Sequence, residues 1–184
     1  QGCAANRMMV SLADLHRLCT AAAKAAGASG LVARSLADAT VVAEAEGHKT
    51  VGVAHFFDYL DAFRAGRIDP TAMPVLKRVK PAIFHSDAMG GIAQLGFDRA
   101  FKRYVAAVKK HGLALFTQSN AWTCGSLGYH AERLAAEGLV ALTATNASAM
   151  IAGGGAAKPV YGTNPIAFAA PVKDGPPLLI DQSS

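Results

Sequence analysis

The chain has 184 residues, 52% of them hydrophobic and 17% charged, which excludes intrinsic disorder and indicates one large or two small globular domains. No uninterrupted apolar run approaches the roughly 20 residues that a membrane span needs. Eighteen basic against thirteen acidic residues leave a formal charge of +5, spread along the chain; this suits an anionic small molecule and argues against nucleic acid.

Gln1-Gly2 reads as the scar of a cleaved tag, with Met8 or Met9 as a native start, so residues 1–8 are expected to be tag or disorder. Ser11 is a suitable N-cap with Asp14 at the capping-box position, and leucines recur at 12, 15 and 18. A second helix runs from Ser29 or Leu31 to Glu46. A third carries Val53, Phe56, Phe57, Tyr59, Leu60 and Phe63 before Gly66 stops it. Alanines at 21–23, 25 and 26 mean close helix packing, and residues 9–75 form a helical domain.

After a connection at Pro70–Pro74, residues 81–85 read as a strand and Gly90-Gly91 as a turn. An amphipathic helix over residues 97–111 presents Arg99, Lys102, Arg103, Lys109 and Lys110 on its wet face, an ordinary solvated surface. A strand at 113–117, a helix at 129–137 and a strand at 139–145 follow. Beyond a glycine-rich loop at 153–155, residues 166–170 and 178–180 form hairpin strands around Lys173-Asp174-Gly175. This alternation indicates a layered α/β arrangement, with residues 76–184 as a sheet domain. The chain ends with an apolar strand breaking into polar residues, as expected of the first part of a longer protein. Cys3, Cys19 and Cys124 lack metal-ligand spacing, so no metal is expected. With no secretory signal, a reducing, cytoplasmic location follows by elimination.

Two segments carry chemistry. Thr123-Cys124-Gly125-Ser126-Leu127-Gly128 is a glycine loop feeding a helix start, where free N–H groups and the helix dipole can hold a phosphate. Cys124 within it is a small filler or a nucleophile without an evident basic partner. Residues 47–59 concentrate His48, Thr50, His55 and Tyr59 around a break between helices, with His55 and Tyr59 on one helix face. Asp181, at the end of an apolar strand, is the expected acidic partner for one histidine.

Four stretches, GHKTVGVAHFFDYLDAFRAGRID (47–69), QSNAWTCGSLGYHAERL (118–134), GTNPIAFAAP (162–171) and LLIDQSS (178–184), resemble the second, non-Rossmann family of malate/L-lactate dehydrogenases. That family includes ureidoglycolate dehydrogenase, diketogulonate reductase and the piperideine/pyrroline-carboxylate reductases. The resemblance implies an α/β (α+β) fold with a largely antiparallel sheet that binds NAD or NADP, and a helical domain completed by a returning C-terminal part. It also implies a homodimer acting on a small carboxylate substrate. The cofactor would contact Thr123, Cys124, Gly125, Ser126 and Leu127; the substrate would meet His55, Tyr59 and Thr163; His55, His48, Thr50 and Asp181 would carry catalysis.

The sequence departs from the family at its acid/base positions. Where members carry Ser-His-Gly and then an arginine, this chain has Thr50-Val51-Gly52 and His55; where many carry a histidine before Phe-Gly, it has Thr123. Three readings follow. In one, a divergent reductase uses His55 or His48 as proton donor with Asp181 orienting it. In another, a 2-hydroxyacid dehydrogenase has relocated its catalytic groups. In the last, a relative binds cofactor without catalysis. A cyclic imino acid needs less acid assistance than a ketone, because its nitrogen is already basic.

Overall fold

The computed structural model describes residues 9–183; the expected tag over residues 1–8 lies outside them. Three helices come first: α1 (Leu12–Ala25), α2 (Gly30–Ala45) and α3 (Val53–Arg64). The Ser11 hydroxyl accepts the Asp14 N–H at 3.0 Å and the Ser29 hydroxyl accepts the Val32 N–H at 3.3 Å, so the first two helices start at side-chain caps. Val32 and Leu36 from α2 and Phe56, Tyr59, Leu60 and Phe63 from α3 bury a first core. Ile92, Leu95 and the partly buried Trp122 join this core, so it reaches across residue 75.

The remaining elements are β1 (Val75–Lys80), β2 (Ile83–Asp87), α4 (Ala93–His111), β3 (Leu115–Ser119), α5 (Leu127–Ala135), β4 (Ala141–Ala144), β5 (Ile151–Ala152), β6 (Pro159–Tyr161), β7 (Ile166–Ala170) and β8 (Leu178–Gln182). One sheet has the order β1-β2-β3, a second β4-β7-β8, and β5-β6 form a short pair. Only β2 and β3, joined through α4, run parallel among the described pairings; β1-β2, β4-β7, β5-β6 and β7-β8 are antiparallel. The fold is thus the mixed α/β arrangement with a largely antiparallel pairing. On the second sheet, Leu127, Ala131, Leu134 and Ala135 of α5 pack against Ala141, Ala167 and Ala169, which alternate inward along their strands.

Two elements differ from expectation. Residues 75–80, where no element is expected, form an exposed strand, Val75-Leu76-Lys77-Arg78-Val79-Lys80, paired antiparallel with β2. Helix α4 starts at Ala93 instead of residue 97, since Gly96 sits inside it: a Cβ there would collide with the Gln118 carboxamide and lie 2.5 Å from the Ser86 hydroxyl. Asp181 lies near the end of its apolar strand as expected, as the penultimate residue of β8, opposite Ala167.

Candidate active site

Glu44, in the last turn of α2, accepts the Val53 N–H at 3.0 Å and so caps α3, whose own N-cap is Gly52. A Cβ at Gly52 would collide with the Glu44 carboxylate, and this close approach is what requires glycine there. The resulting turn exposes His48, Lys49 and Thr50. It also places His55 in the first turn of α3, one turn before Tyr59. His55 Nδ1 lies 2.9 Å from Asp58 Oδ2, and the imidazole meets the Tyr59 ring edge-on with centroids 5.1 Å apart. Asp58, three residues along the same helix, therefore orients His55 in place of the expected Asp181.

Tyr59 is 2% exposed. Its hydroxyl donates to the Thr123 carbonyl at 2.7 Å and accepts from Gln94 Nε2 at 3.0 Å. Burial pushes the phenol well up from its ordinary value, so this proton stays in place. The hydroxyl expected to meet substrate is instead spent on fixing the loop. Gln94, 1% exposed on the first turn of α4, gives its second amide hydrogen to the Cys124 carbonyl at 3.1 Å.

Two successive loop carbonyls thus point into the protein. In trans peptides the following N–H groups, those of Cys124 and Gly125, must point the opposite way. Gly125 adopts φ +67°, and its N–H donates to Thr123 Oγ1 at 3.3 Å, so this amide orients the Thr123 hydroxyl. The Cys124 thiol is pushed up to about 11, chiefly by burial, which keeps it protonated and supports its reading as a filler. His130 Nε2 approaches the same Cys124 carbonyl at 3.4 Å, and burial holds this imidazole down at about 4.

Asp181 faces the other side of the loop. Its Oδ2 accepts the Ser126 hydroxyl at 2.9 Å and the Gly128 N–H at 2.7 Å. The start of α5 is therefore already filled by a carboxylate of the chain itself, using the donor and dipole expected to hold a phosphate. Glu46, the C-cap of α2, and Glu132 of α5 come together beside it. Burial, the hydrogen bond with Glu132 and the charges of Glu132 and Asp181 push the Glu46 carboxyl up to about 7. His48 Nε2 stands 3.9 Å from Glu46 Oε2.

The structure thus gathers His55, Tyr59 and residues 123–126 on one side of the loop, and links Asp181 and His48 through the glutamates on the other. Thr50 stays exposed on its turn, Thr163 lies on the loop entering β7, and the Leu127 side chain belongs to the second core. Sequence reasoning missed Gln94, Glu46, Glu132 and Asp58. A glutamine among Ile92, Ala93 and Leu95 was the available signal, since a polar residue on an apolar helix face needs a partner. Tested against a nicotinamide nucleotide, the Cys124 amide and the Thr123 hydroxyl fit its uncharged hydrogen-bonding groups. The α5 N-terminus does not fit its phosphates, because Asp181 already occupies that end.

The family model described as malate/L-lactate dehydrogenase matches residues 10–184. Among curated relatives, a Delta(1)-pyrroline-2-carboxylate/Delta(1)-piperideine-2-carboxylate reductase of Pseudomonas putida is 34% identical over 175 residues, 95% of this chain and 51% of the relative. A (2R)-3-sulfolactate dehydrogenase (NADP(+)) of Chromohalobacter salexigens is also 34% identical, over 95% of this chain and 52% of its own length. Among solved structures, delta1-piperideine-2-carboxylate reductase from Pseudomonas syringae superposes with a TM-score of 0.90 at 31% identity, over 95% of this chain and 52% of that one. Malate dehydrogenase from Pyrococcus horikoshii gives 0.88 at 28% identity, over 100% and 53%. The chain spans about half the length of the curated relatives it matches. From its loop geometry, its helical unit and these matches together, the chain belongs to the malate/L-lactate dehydrogenase family.

Proposed function

We propose that the protein is an NAD(P)H-dependent oxidoreductase that reduces a small 2-oxo or cyclic 2-imino acid, with the cyclic imino acid as the better substrate. The observation that carries this reading is the pairing of an Asp58-oriented His55 with a loop whose Thr123 and Cys124 carbonyls are held from inside by Tyr59 and Gln94 and whose Thr123 hydroxyl is oriented by the Gly125 N–H. When bound, the nicotinamide supplies a hydride to the carbon next to the carboxylate. The Cys124 amide and the Thr123 hydroxyl would hold the uncharged end of the nucleotide. His55 either gives a proton to the substrate nitrogen or oxygen or anchors the substrate carboxylate. Val51 moves no proton, which favours a substrate that brings its own basic nitrogen; a histidine is also a weaker carboxylate clamp than the family's bidentate arginine. The relatives named as pyrroline- and piperideine-2-carboxylate reductases support the same class.

A second reading, a 2-hydroxyacid dehydrogenase using His48, Thr50 or Asp181 for proton transfer, is favoured by the equal identity to the sulfolactate dehydrogenase. Homodimeric assembly, on the strength of the family resemblance, and a cytoplasmic location, reached by elimination, complete the proposal. Among the described residues no helix is long and apolar enough to cross a membrane.

The test is a cofactor-oxidation screen of the protein, in the full form its gene encodes, against 2-oxo acids and cyclic 2-imino acids with NADH and NADPH. Faster turnover of a cyclic imino acid is expected. Preference for a 2-oxo acid selects the second reading. Cofactor binding without any turnover contradicts both and leaves the non-catalytic relative.

A further inference from the structure

Gln94 holds a position that packing alone does not explain. It is almost fully buried on α4, two residues after the helix N-cap Ile92, and its Oε1 is buried without a hydrogen-bond partner among the described residues. A buried amide left with an orphan acceptor is costly, so an apolar side chain of the same length would pack there at lower cost.

The orientation of the amide is fixed by its partners. The Cys124 carbonyl can only accept, so the atom facing it at 3.1 Å must be the nitrogen. The Tyr59 hydroxyl has a single proton, already committed to the Thr123 carbonyl at 2.7 Å, so toward Gln94 it can only accept. Both amide hydrogens are consumed by one loop and its tyrosine anchor. Gly125 completes the arrangement: a Cβ there would lie 3.4 Å from Gln94 Nε2 and 3.9 Å from the Tyr59 hydroxyl, in a φ of +67° that a side chain adopts only under strain.

We propose that Gln94 is a positioning residue for the nicotinamide nucleotide: by clasping the Cys124 carbonyl and the Tyr59 hydroxyl from inside, it fixes the Cys124 amide and, through the Gly125 N–H, the Thr123 hydroxyl that receive the ligand. This rests on the cofactor reading above. Without the clasp, the peptide planes over residues 123–125 are free to rotate, and the ligand must then order them on binding.

Trp122 provides the readout, because it is the one tryptophan of the chain and precedes the clasped residues directly. Its fluorescence is followed while NADH and NADPH are titrated into the wild-type protein and into Gln94→Met, with thermal melting and steady-state kinetics run in parallel. The expected result is cofactor affinity weakened about tenfold or more, as the loss of hydrogen bonds that preorganise a site implies, with kcat at saturating cofactor moved far less. A merely structural glutamine would lower the melting temperature and leave the affinity of the folded protein within about twofold of wild type; that result overturns the proposal. Should Gln94→Met not fold, Tyr59→Phe decides: it removes the shared hydroxyl, and unchanged affinity in it overturns the proposal equally. Wild-type protein that binds neither cofactor overturns the cofactor reading and this inference with it, whereas wild-type binding with unchanged variants overturns this inference alone.

Discussion

Asp181 Oδ2 accepts the Gly128 N–H at 2.7 Å, so a strand residue 53 positions further along the chain caps helix α5. The same oxygen accepts the Ser126 hydroxyl, which ties β8, the loop and the helix start together. An anion at a helix N-terminus is favourable both as hydrogen-bond acceptor and against the dipole. Here that role falls to the protein and not to a bound phosphate.

Asp181→Ala is accordingly expected to destabilise the protein by about 1 kcal/mol, the usual worth of an N-terminal cap, while Asp181→Asn recovers most of it. Urea denaturation of the three proteins checks this. An alanine variant as stable as wild type would show that the contact contributes nothing.

Glu46 gives a pH signature of definite sign. Its carboxyl titrates at about 7 in the fold against 4.5 for an ordinary glutamate, chiefly through burial and then through Glu132. The folded state therefore holds more protons between these values, and this contribution to stability is full below 4.5 and lost as pH rises to about 7. Glu46→Gln is expected to remove that decline and to be more stable than wild type at about pH 8. Melting temperatures recorded across the range decide it, and an unchanged pH slope in the variant would contradict the assignment.

His130 works in the opposite direction. Burial holds it at about 4 against 6.5, with Arg133 adding to the effect and the Cys124 carbonyl, Asp98 and Asp181 opposing it. The folded state holds fewer protons, so its contribution is full above 6.5 and lost as pH falls through about 4. The ring packs edge-on against Phe97 with centroids 4.9 Å apart, a place a phenyl ring can take. His130→Phe should therefore resist acid better than wild type relative to its own stability at neutral pH. Because Glu46 and His130 oppose each other over one pH window, the single variants must show steeper slopes of opposite sign where the wild type shows a shallow one.

Much of the helical unit was legible in the sequence because its signals are local. Ser11 and Ser29 mark the helix starts, and the spacing of Val32, Leu36, Phe56, Tyr59 and Phe63 marks the buried faces. The strand at residues 166–170 was legible for the same reason. Residues 75–80 were not, because Val75-Leu76-Lys77-Arg78-Val79-Lys80 lacks the apolar/polar alternation of a half-buried strand and differs little from a polar connection until β2 pairs with it. Gly96 hid the true start of α4, since only the packing of Gln118 and Ser86 against the helix shows why a glycine belongs there. The site divides likewise. His55, Tyr59 and residues 123–126 were singled out and do converge. Their partners Asp58, Gln94 and Glu46 were missed, because choosing among several carboxylates and amides takes three-dimensional proximity. Asp181 was noticed as chemically important but assigned to a histidine instead of to a helix end.

His55 is open to a kinetic test. If it donates the proton, His55→Gln lowers kcat by roughly 10²–10⁴-fold. If it anchors the carboxylate in ground and transition states alike, KM rises and kcat is spared. His48→Gln, altering a residue 3.9 Å from Glu46, serves as the comparison. A silent His55→Gln beside an inactive His48→Gln would move the chemistry to the other side of the loop.

The central claim, hydride reduction of a 2-oxo or cyclic 2-imino acid, is tested most directly by isotope transfer. The protein is incubated with NADH or NADPH deuterated at the transferable position of nicotinamide C4 and with a cyclic 2-imino acid. The amino-acid product is then analysed by mass spectrometry and NMR. The account predicts one deuterium at the carbon bearing the carboxylate, with equimolar oxidation of the cofactor. Product free of deuterium, or no product with either cofactor from both imino and 2-oxo acids, would contradict it.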